Sequence, residues 1–227
     1  MTKKFTWSFS RLRNFETCPK RHLEIDILKN YREEIEPGGP LEWGGRVHKA
    51  LELALGKGVP LPPEMKDYQK YVDMVGKLPG KLFVEQKYAI TVDFGPTQYF
   101  APNVWYRGIG DVVKIAGTRG TILDWKTGAI KVDSVQLMLM AQCVFSHFPQ
   151  VERVHTGYIW LKDDATTIEV YDRRDMATSW VGLLDRVAQL EHAAATQSYP
   201  PKPSGLCIRW CPVVSCPHHG KWTARRR

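Results

Sequence analysis

Two carboxylates and a lysine lie in two short stretches of the sequence that could together carry out phosphate chemistry. Asp111 ends the run Gly108–Asp111, and Asp124 stands two positions before Lys126. Because alternate residues of a strand point to the same face, Asp124 and Lys126 are predicted to lie together. Two carboxylates suit a hard divalent cation, which polarises a phosphate and lowers the pKa of a bound water. The lysine can orient that water or stabilise developing negative charge.

The same residues have a less specific interpretation. An Asp-x-Lys pair on a strand is usually a solvated ion pair that contributes ~0–1 kcal/mol to stability. The apolar run Thr121–Leu123 directly precedes Asp124, however. A buried strand that ends in charge is more typical of a site than of an ordinary surface.

A histidine upstream could add a nitrogen ligand. His48 lies in a predicted helix at about Trp43–Leu55, beside an apolar stripe that includes Val47 and Leu51. A lone histidine beside such a stripe is more often structural than a ligand, so both roles stay open.

Cysteines at the two ends of the chain indicate a second metal group. Cys207, Cys211 and Cys216 lie close together, and Cys18 is their matching distant partner. Disulfides are not expected without an export signal, because reducing compartments keep thiols free. The four residues therefore predict a tetrahedral thiolate site.

Other interpretations of this region stay open. Zinc accepts the same four thiolates, and His218 or His219 could then replace one cysteine. The remaining cysteine, Cys143, lies on an apolar helix and is predicted to be a small buried hydrophobic residue.

Helices and strands alternate in an order that would position these side chains in an α/β fold. Ser10 is predicted to cap the first helix of the chain. Helical spacing predicts further helices at Lys20–Tyr31, Trp43–Leu55, Ser134–His147 and Met176–Ala195. Alternation predicts strands at Leu82–Val92, Gln98–Arg107, Asp111–Ala116, Thr121–Trp125, Val154–Leu161 and Thr166–Tyr171.

Composition favours a polyanionic partner. The 227 residues include 32 basic and 24 acidic side chains, which leaves a formal net charge of +8. Nucleic acid is the first candidate, although charge alone decides nothing. No segment approaches the roughly 18 apolar residues of a membrane span, and the first residues lack the apolar centre of a secretory signal. We therefore expect a cytoplasmic protein with no membrane partner.

The order of the motifs resembles the RecB-type branch of the PD-(D/E)XK nuclease superfamily. The matching residues run from Gly44 to His48, then Glu85, Gly108 to Asp111, Asp124 to Gly128, and Gln136. The resemblance implies a Mg²⁺ or Mn²⁺ site whose ligands are His48, Asp111, Asp124 and the main-chain carbonyl of Trp125.

The same resemblance implies catalytic roles for neighbouring residues. Lys126 would assist hydrolysis, while Glu85 and Gln136 match accessory positions of the active site. Many relatives have a tyrosine four residues after the glutamine, where this chain has Met140. That departure bears on rate or DNA contacts more than on activity itself.

The cysteines resemble those of the iron–sulfur subgroup of these nucleases, which includes AddB-type and CRISPR-associated exonucleases. The resemblance implies a 4Fe-4S cluster held by Cys18, Cys207, Cys211 and Cys216. The spacing here is Cys-x3-Cys-x4-Cys, whereas the relatives typically show Cys-x2-Cys-x5-Cys, so Zn²⁺ stays an alternative. Either metal group would join the two chain ends structurally.

These inferences predict a restriction-endonuclease-like α/β fold with a mixed central sheet flanked by helices. One nuclease domain, residues 1–227, would have its catalytic core at 41–195, with 1–40 and 196–227 forming the cysteine-ligated subdomain. The implied activity is a metal-dependent exonuclease acting on DNA single strands or free ends in end resection, recombination or processing. A recombination or CRISPR-type protein is the implied partner.

Three other functions stay open: a structure-specific endonuclease, a non-catalytic DNA-binding module with a zinc site, and a subunit that is active only with partners. Trp43, Trp105 and Trp125 could stack on bases, although large aromatic residues more often belong to the core.

Overall fold

The computed structural model describes residues 5–131 and 133–221. The chain divides into two compact units, one built on Glu36–Trp180 and the other on Trp7–Ile35 together with residues from Val181 onwards. The predicted catalytic core extended to residue 195, whereas the first unit ends at Trp180. The single-domain organisation stays a prediction. None of the described helices is both long and apolar enough to cross a membrane.

Helices occur in both units. In chain order they are α1 (Phe9–Thr17), α2 (Pro19–His22), α3 (Pro40–Lys57), α4 (Gln69–Lys77), α5 (Val135–His147), α6 (Met176–Ser179), α7 (Leu183–Thr196) and α8 (Leu206–Arg209). A π-helical turn at Leu23–Ile27 follows α2, and 3₁₀ turns at Pro63–Tyr68 and Arg173–Asp175 precede α4 and α6.

The first unit contains a mixed sheet. Its strands are β1 (Lys81–Ile90), β2 (Pro96–Thr97), β3 (Tyr106–Ala116), β4 (Arg119–Lys126), β5 (Arg153–Trp160) and β6 (Ala165–Asp172). They are arranged in the order β2-β1-β3-β4-β5-β6, and only β4 and β5 are parallel among these described strands. The predicted α/β fold with a mixed central sheet flanked by helices is confirmed.

The parallel pair of strands depends on α5. Parallel neighbours need a long crossover connection, and α5 joins β4 to β5 while it packs against β1, β3, β4 and β5. Every residue of Leu137–Phe145 is buried, as expected for a helix that is apolar on all sides. Cys143 is fully buried there, in agreement with its prediction as a small hydrophobic residue.

On the other face of the sheet, α3 buries an apolar stripe. Val47 and Leu51 are fully buried and pack in one cluster with Trp125 of β4. His48 is the next residue after Val47 and remains partly exposed. The packing of the stripe therefore holds the imidazole beside the sheet.

One predicted strand is wrong. Of Gln98–Arg107, only the last two residues are extended, and they begin β3. The rest forms consecutive turns, in which Ala101 N–H donates to the Gln98 carbonyl and Val104 N–H to the Ala101 carbonyl. Pro102 has no N–H for a sheet ladder, which explains why the chain turns here.

Two predicted helices also end or break early. The helix expected over Lys20–Tyr31 stops after the π-helical turn, where Lys29 takes a left-handed φ of +57°. The helix expected over Met176–Ala195 is divided into α6 and α7, and Gly182 lies between them with φ +79°. At the start of α1, the cap is Ser8 rather than Ser10, because the Ser8 hydroxyl accepts the Arg11 N–H.

Candidate functional site

Glu85 and Asp111 lie opposite each other in the antiparallel register of β1 and β3. The flanking pairs, Val84 with Val112 and Gln86 with Gly110, belong to the regular ladder, whereas the pair between them does not. Glu85 has a left-handed φ of +49°. A non-glycine residue in this conformation is uncommon and is often found where a site imposes it.

At the left-handed residue Glu85, the side chains of β1 change the face of the sheet to which they point. The ring centroids of Phe83 and Tyr88 lie 5.5 and 6.4 Å, respectively, from the ring centroid of Phe148. Residues five apart in a regular strand point to opposite faces, so the alternation changes phase between them. Glu85 lies at this change and reaches the side of the sheet on which α3 packs.

A three-residue group there could hold a metal ion. One ligand atom each from His48, Glu85 and Asp111 lies within 4.8 Å of the other two. His48 Nδ1 is 3.3 Å from Asp111 Oδ2. Asp111 is buried, while His48 and Glu85 are partly exposed, so the group is accessible from solvent.

The end of the β3–β4 ladder places the second aspartate beside this group. The last paired residues are Val112 and Leu123, and Asp111 and Asp124 come next on the two strands. The Trp125 N–H donates to Asp111 Oδ2 across 2.9 Å. This hydrogen bond orients Asp111 and links the main chain of Trp125 to the site. The predicted role of the Trp125 carbonyl as a ligand stays a prediction.

Asp124, Lys126 and Gln136 form a closed triangle of polar contacts. Lys126 Nζ is 2.5 Å from Asp124 Oδ2 and donates to Gln136 Oε1 across 3.1 Å. The Gln136 amide donates to Asp124 Oδ1 across 2.7 Å. Because Gln136 comes from α5, the helix positions both the carboxylate and the ammonium of β4.

Two carboxylates of the site, Glu85 and Asp124, have raised pKa values. Burial, reinforced by the Asp111 charge, raises the pKa of Glu85 to about 7. Burial and Asp111 also raise the pKa of Asp124, although Lys126 and His48 oppose the rise. Burial lowers the pKa of His48, but Asp111, Asp124 and Glu85 outweigh it and raise the value overall. The site therefore has an excess of negative charge that a cation would neutralise.

The donor set fits a divalent cation. Carboxylate oxygens and one imidazole nitrogen are ligands that Mg²⁺ or Mn²⁺ accepts. Asp124 Oδ2 is buried, and its contact among the described residues is the charged one with Lys126 Nζ. A buried carboxylate oxygen with a lone pair left over is available to a metal ion.

The structure groups the predicted metal ligands differently from what the family resemblance implies. Glu85, expected in an accessory position, lies with His48 and Asp111, whereas Asp124 lies outside that three-residue group. Sequence reasoning missed Tyr158, whose ring centroid lies 4.8 Å from Lys126 Nζ. Tyr158 is opposite Asp124 in the parallel β4–β5 register, and no local pattern reveals that pairing.

Two of the three tryptophans suggested for base stacking belong to the core. Trp105 and Trp125 are buried, with 7% and 2% of their surfaces exposed, so neither can receive a base. Arg46 lies over the ring of Trp43 at 5.6 Å.

In the second unit, the four predicted cysteines line one pocket. Cys18 precedes Pro19 at the start of α2, Cys207 lies in α8, and Cys211 and Cys216 follow in the irregular segment after α8. Lys20, Arg21, Lys202 and His218 also line this pocket.

Main-chain donors point at the sulfurs. Lys202 N–H donates to Cys18 Sγ across 3.3 Å, and Ser204 N–H donates to Cys207 Sγ across 3.4 Å. Burial raises the pKa of Cys211 overall, although a main-chain hydrogen bond at Val213 and the charge of Arg21 oppose the rise. Amide donors and nearby cations stabilise thiolates, so the pocket fits a thiolate-bound metal group.

Comparison with known proteins shows the fold. No protein-family model matches the sequence, and no curated protein sequence matches it significantly. The solved structure of a protein named SSO0001 covers 96% of this chain and 89% of its own, at 13% identity and a TM-score of 0.43. A candidate exonuclease from Eubacterium rectale covers 91% of this chain and 86% of its own, at 12% identity and a TM-score of 0.54. The chain thus shares its fold with a protein described as an exonuclease.

Proposed function

We propose that this protein is a divalent-metal-dependent deoxyribonuclease that removes nucleotides from DNA ends. The observation that carries the proposal is the contact between two groups of residues. The group formed by His48, Glu85 and Asp111 adjoins the Asp124–Lys126–Gln136 triangle through the Trp125 N–H. A cation site next to a buried carboxylate that is paired with a partly exposed lysine is suited to phosphodiester hydrolysis.

The chain's own side chains would divide the work. His48, Glu85, Asp111 and Asp124 would hold Mg²⁺ or Mn²⁺, with the Trp125 carbonyl as a further ligand. The bound ion would polarise the scissile phosphate and lower the pKa of the attacking water. Lys126 presents its ammonium beside Asp124, where it can stabilise the charge that develops on the phosphate.

Gln136 keeps these two groups in place. Its amide bridges Asp124 and Lys126, so the lysine is held toward the acidic group instead of extending into solvent. Catalysis by positioned charges needs such preorganisation. We therefore assign Gln136 as a positioning residue and Lys126 as a catalytic residue.

Two observations favour DNA ends as the substrate. The fold is shared with a candidate exonuclease, and the net charge of +8 favours a polyanion. Cleavage of labelled DNA measures substrate and end dependence directly. Action on ends would suit DNA resection, recombination or processing with a partner protein.

We further propose that the four cysteines hold a 4Fe-4S cluster rather than zinc. Zn–S bonds of about 2.3 Å would bring the sulfurs of one zinc ion to about 3.8 Å from each other. No three of these described sulfurs lie within 4.8 Å of one another. The wider spacing supports a cluster.

End-labelled linear DNA and closed-circular DNA test the nuclease proposal. Both are incubated with Mg²⁺, with Mn²⁺ and with chelator, using the wild type, Lys126→Ala and Arg119→Ala. Arg119 is exposed and begins β4, the strand that ends at Lys126, so its replacement removes a positive charge at the end of the strand away from the site. We expect metal-dependent loss of the linear DNA only, reduced at least about 100-fold by Lys126→Ala and unchanged by Arg119→Ala.

Each other outcome has a definite meaning. Cleavage of the circular DNA would show that the protein is an endonuclease and not an exonuclease. No cleavage by protein that retains its cysteine-bound metal would remove the nuclease proposal and favour a DNA-binding module or a partner-dependent subunit.

A further inference from the structure

Near the acidic site, the first unit presents an exposed aromatic side chain, Phe100, and a partly exposed one, Tyr99, among basic residues. Phe100 has 78% of its surface exposed, and its ring centroid lies 5.0 Å from that of Tyr99 in an edge-to-face arrangement. Lys87 Nζ lies 5.6 Å from the Tyr99 ring and 5.7 Å from the Phe100 ring. The Arg107 guanidinium lies 5.3 Å from the Tyr99 ring.

This surface continues directly from the acidic site. Counting from the pair Glu85 and Asp111, the next same-face pairs of the β1–β3 ladder are Lys87 with Ile109 and Ala89 with Arg107. Arg107 and Asp111 are four residue steps apart on β3, which corresponds to about 13 Å along the strand. One row of side chains thus runs from the carboxylates to the exposed rings.

The composition of the row indicates its ligand. The chain from Phe94 to Gly110 contains no aspartate or glutamate. Ile109 is 38% exposed beside the two cations, so apolar and positive surface alternate. A polyanion that also carries flat apolar faces is the complementary partner, because its phosphates pair with lysine and arginine while its bases stack on aromatic rings.

We propose that Lys87, Tyr99, Phe100, Arg107 and Ile109 form a binding track that leads single-stranded DNA to the acidic site. The proposal rests on the proposed nuclease function and names the form of its substrate. Duplex DNA hides its base faces in the stack and offers mainly phosphates to this surface. A single strand can place a base on Phe100 and phosphates on Lys87 and Arg107.

Binding of fluorescently labelled oligothymidine tests the track independently of cleavage. Fluorescence anisotropy in chelator, where no metal-dependent cutting occurs, compares the wild type with Phe100→Ala, Phe100→Trp and Ile168→Ala. Ile168 is 66% exposed on β6, away from the track. We expect Phe100→Ala to weaken binding about tenfold through the loss of a base stack. Phe100→Trp should bind like the wild type, and so should Ile168→Ala.

Salt dependence separates the cations from the ring. Lys87→Ala should reduce the slope of log K against log salt by about 0.7, the value for one phosphate contact on a single strand. Phe100→Ala should leave that slope unchanged. Lys81→Ala is the matched control, because Lys81 lies on the same strand over the ring of Phe83 at 5.1 Å but at the far end of β1.

A blunt duplex of the same length completes the test. The proposed track is wrong if the wild type does not bind oligothymidine, or if Phe100→Ala binds it as tightly as Ile168→Ala does. It is also wrong if Phe100→Ala weakens binding of the duplex as much as binding of oligothymidine. Its failure is distinct from failure of the proposed function. Oligothymidine binding without metal-dependent cleavage would remove the nuclease proposal alone, whereas cleavage with unchanged variant binding would remove the track alone.

Discussion

Glu85 lies opposite Asp111 at the one position in β1 where the regular β1–β3 ladder is interrupted, and its backbone is left-handed there. The interruption turns both carboxylates toward His48 of α3. A regular strand would have sent Glu85 to the other face or away from the site. The local conformation of one residue therefore completes a candidate metal site.

Glu85→Gln should flatten the pH dependence of stability in the metal-free protein. Burial and the charge of Asp111 raise the pKa of Glu85 from 4.5 to about 7. A raised pKa means that the folded chain binds the proton more tightly than the unfolded chain. The stability that Glu85 contributes is thus present below about pH 4.5 and is lost as the pH rises through about 7. Thermal melts in chelator at pH 5 and pH 8 should show a smaller fall in Tm for the variant.

A surface control makes that comparison specific. Glu191→Gln replaces an exposed carboxylate of α7 and should melt like the wild type at both pH values. If Tm fell by the same amount between pH 5 and pH 8 in Glu85→Gln and in the wild type, the clustering of carboxylates around Glu85 would not describe the protein in solution.

Gln136→Ala should lower the rate of DNA cleavage about tenfold or more, because Lys126 loses its hydrogen bond to the amide oxygen. The affinity for the metal should also fall, because Gln136 donates to Asp124, a proposed ligand, and hydrogen bonds that orient a ligand support metal binding. Cleavage rates and the Mn²⁺-induced shift in Tm, measured beside Gln69→Ala on the exposed surface of α4, check both parts. An unchanged rate would contradict the positioning role.

Manganese should support cleavage at least as well as magnesium. His48 offers a nitrogen ligand beside two carboxylates, and nitrogen ligation is better tolerated by Mn²⁺ than by Mg²⁺. His48→Asp should shift the ratio of rates toward Mg²⁺. Full activity with magnesium and none with manganese would rule out imidazole ligation in the working enzyme.

Cys18→Ala should lose bound iron and lower Tm by roughly 5 °C or more, since metal binding contributes directly to the stability of such a site. Cys143→Ala is the control, because Cys143 is buried in α5. That substitution can also lower Tm, but the iron content should stay that of the wild type. Iron analysis therefore distinguishes loss of the metal group from ordinary loss of packing. A Cys18→Ala protein with normal iron and normal Tm would contradict the cysteine site.

Local patterns predicted the elements that carry most of the site. The apolar run before Asp124 marks a real buried strand, and the stripe from Val47 marks a real helix against the sheet. At Gln98–Arg107, the same kind of pattern gives the wrong prediction of a strand, because the chain forms two turns there. The failure concealed Tyr99 and Phe100, and the proline at 102 was the signal that could have revealed the turns.

The sequence by itself determined the α/β class and the pairing of Asp124 with Lys126 on one strand face, because periodicity and strand alternation are properties of neighbouring residues. Tertiary structure alone decided which distant groups meet. Gln136 reaches Asp124 because α5 crosses the sheet, and Cys18 joins Cys207 across most of the chain length. Glu85 meets His48 because a left-handed residue interrupts β1. Such contacts depend on register and packing between elements, which no local spacing encodes.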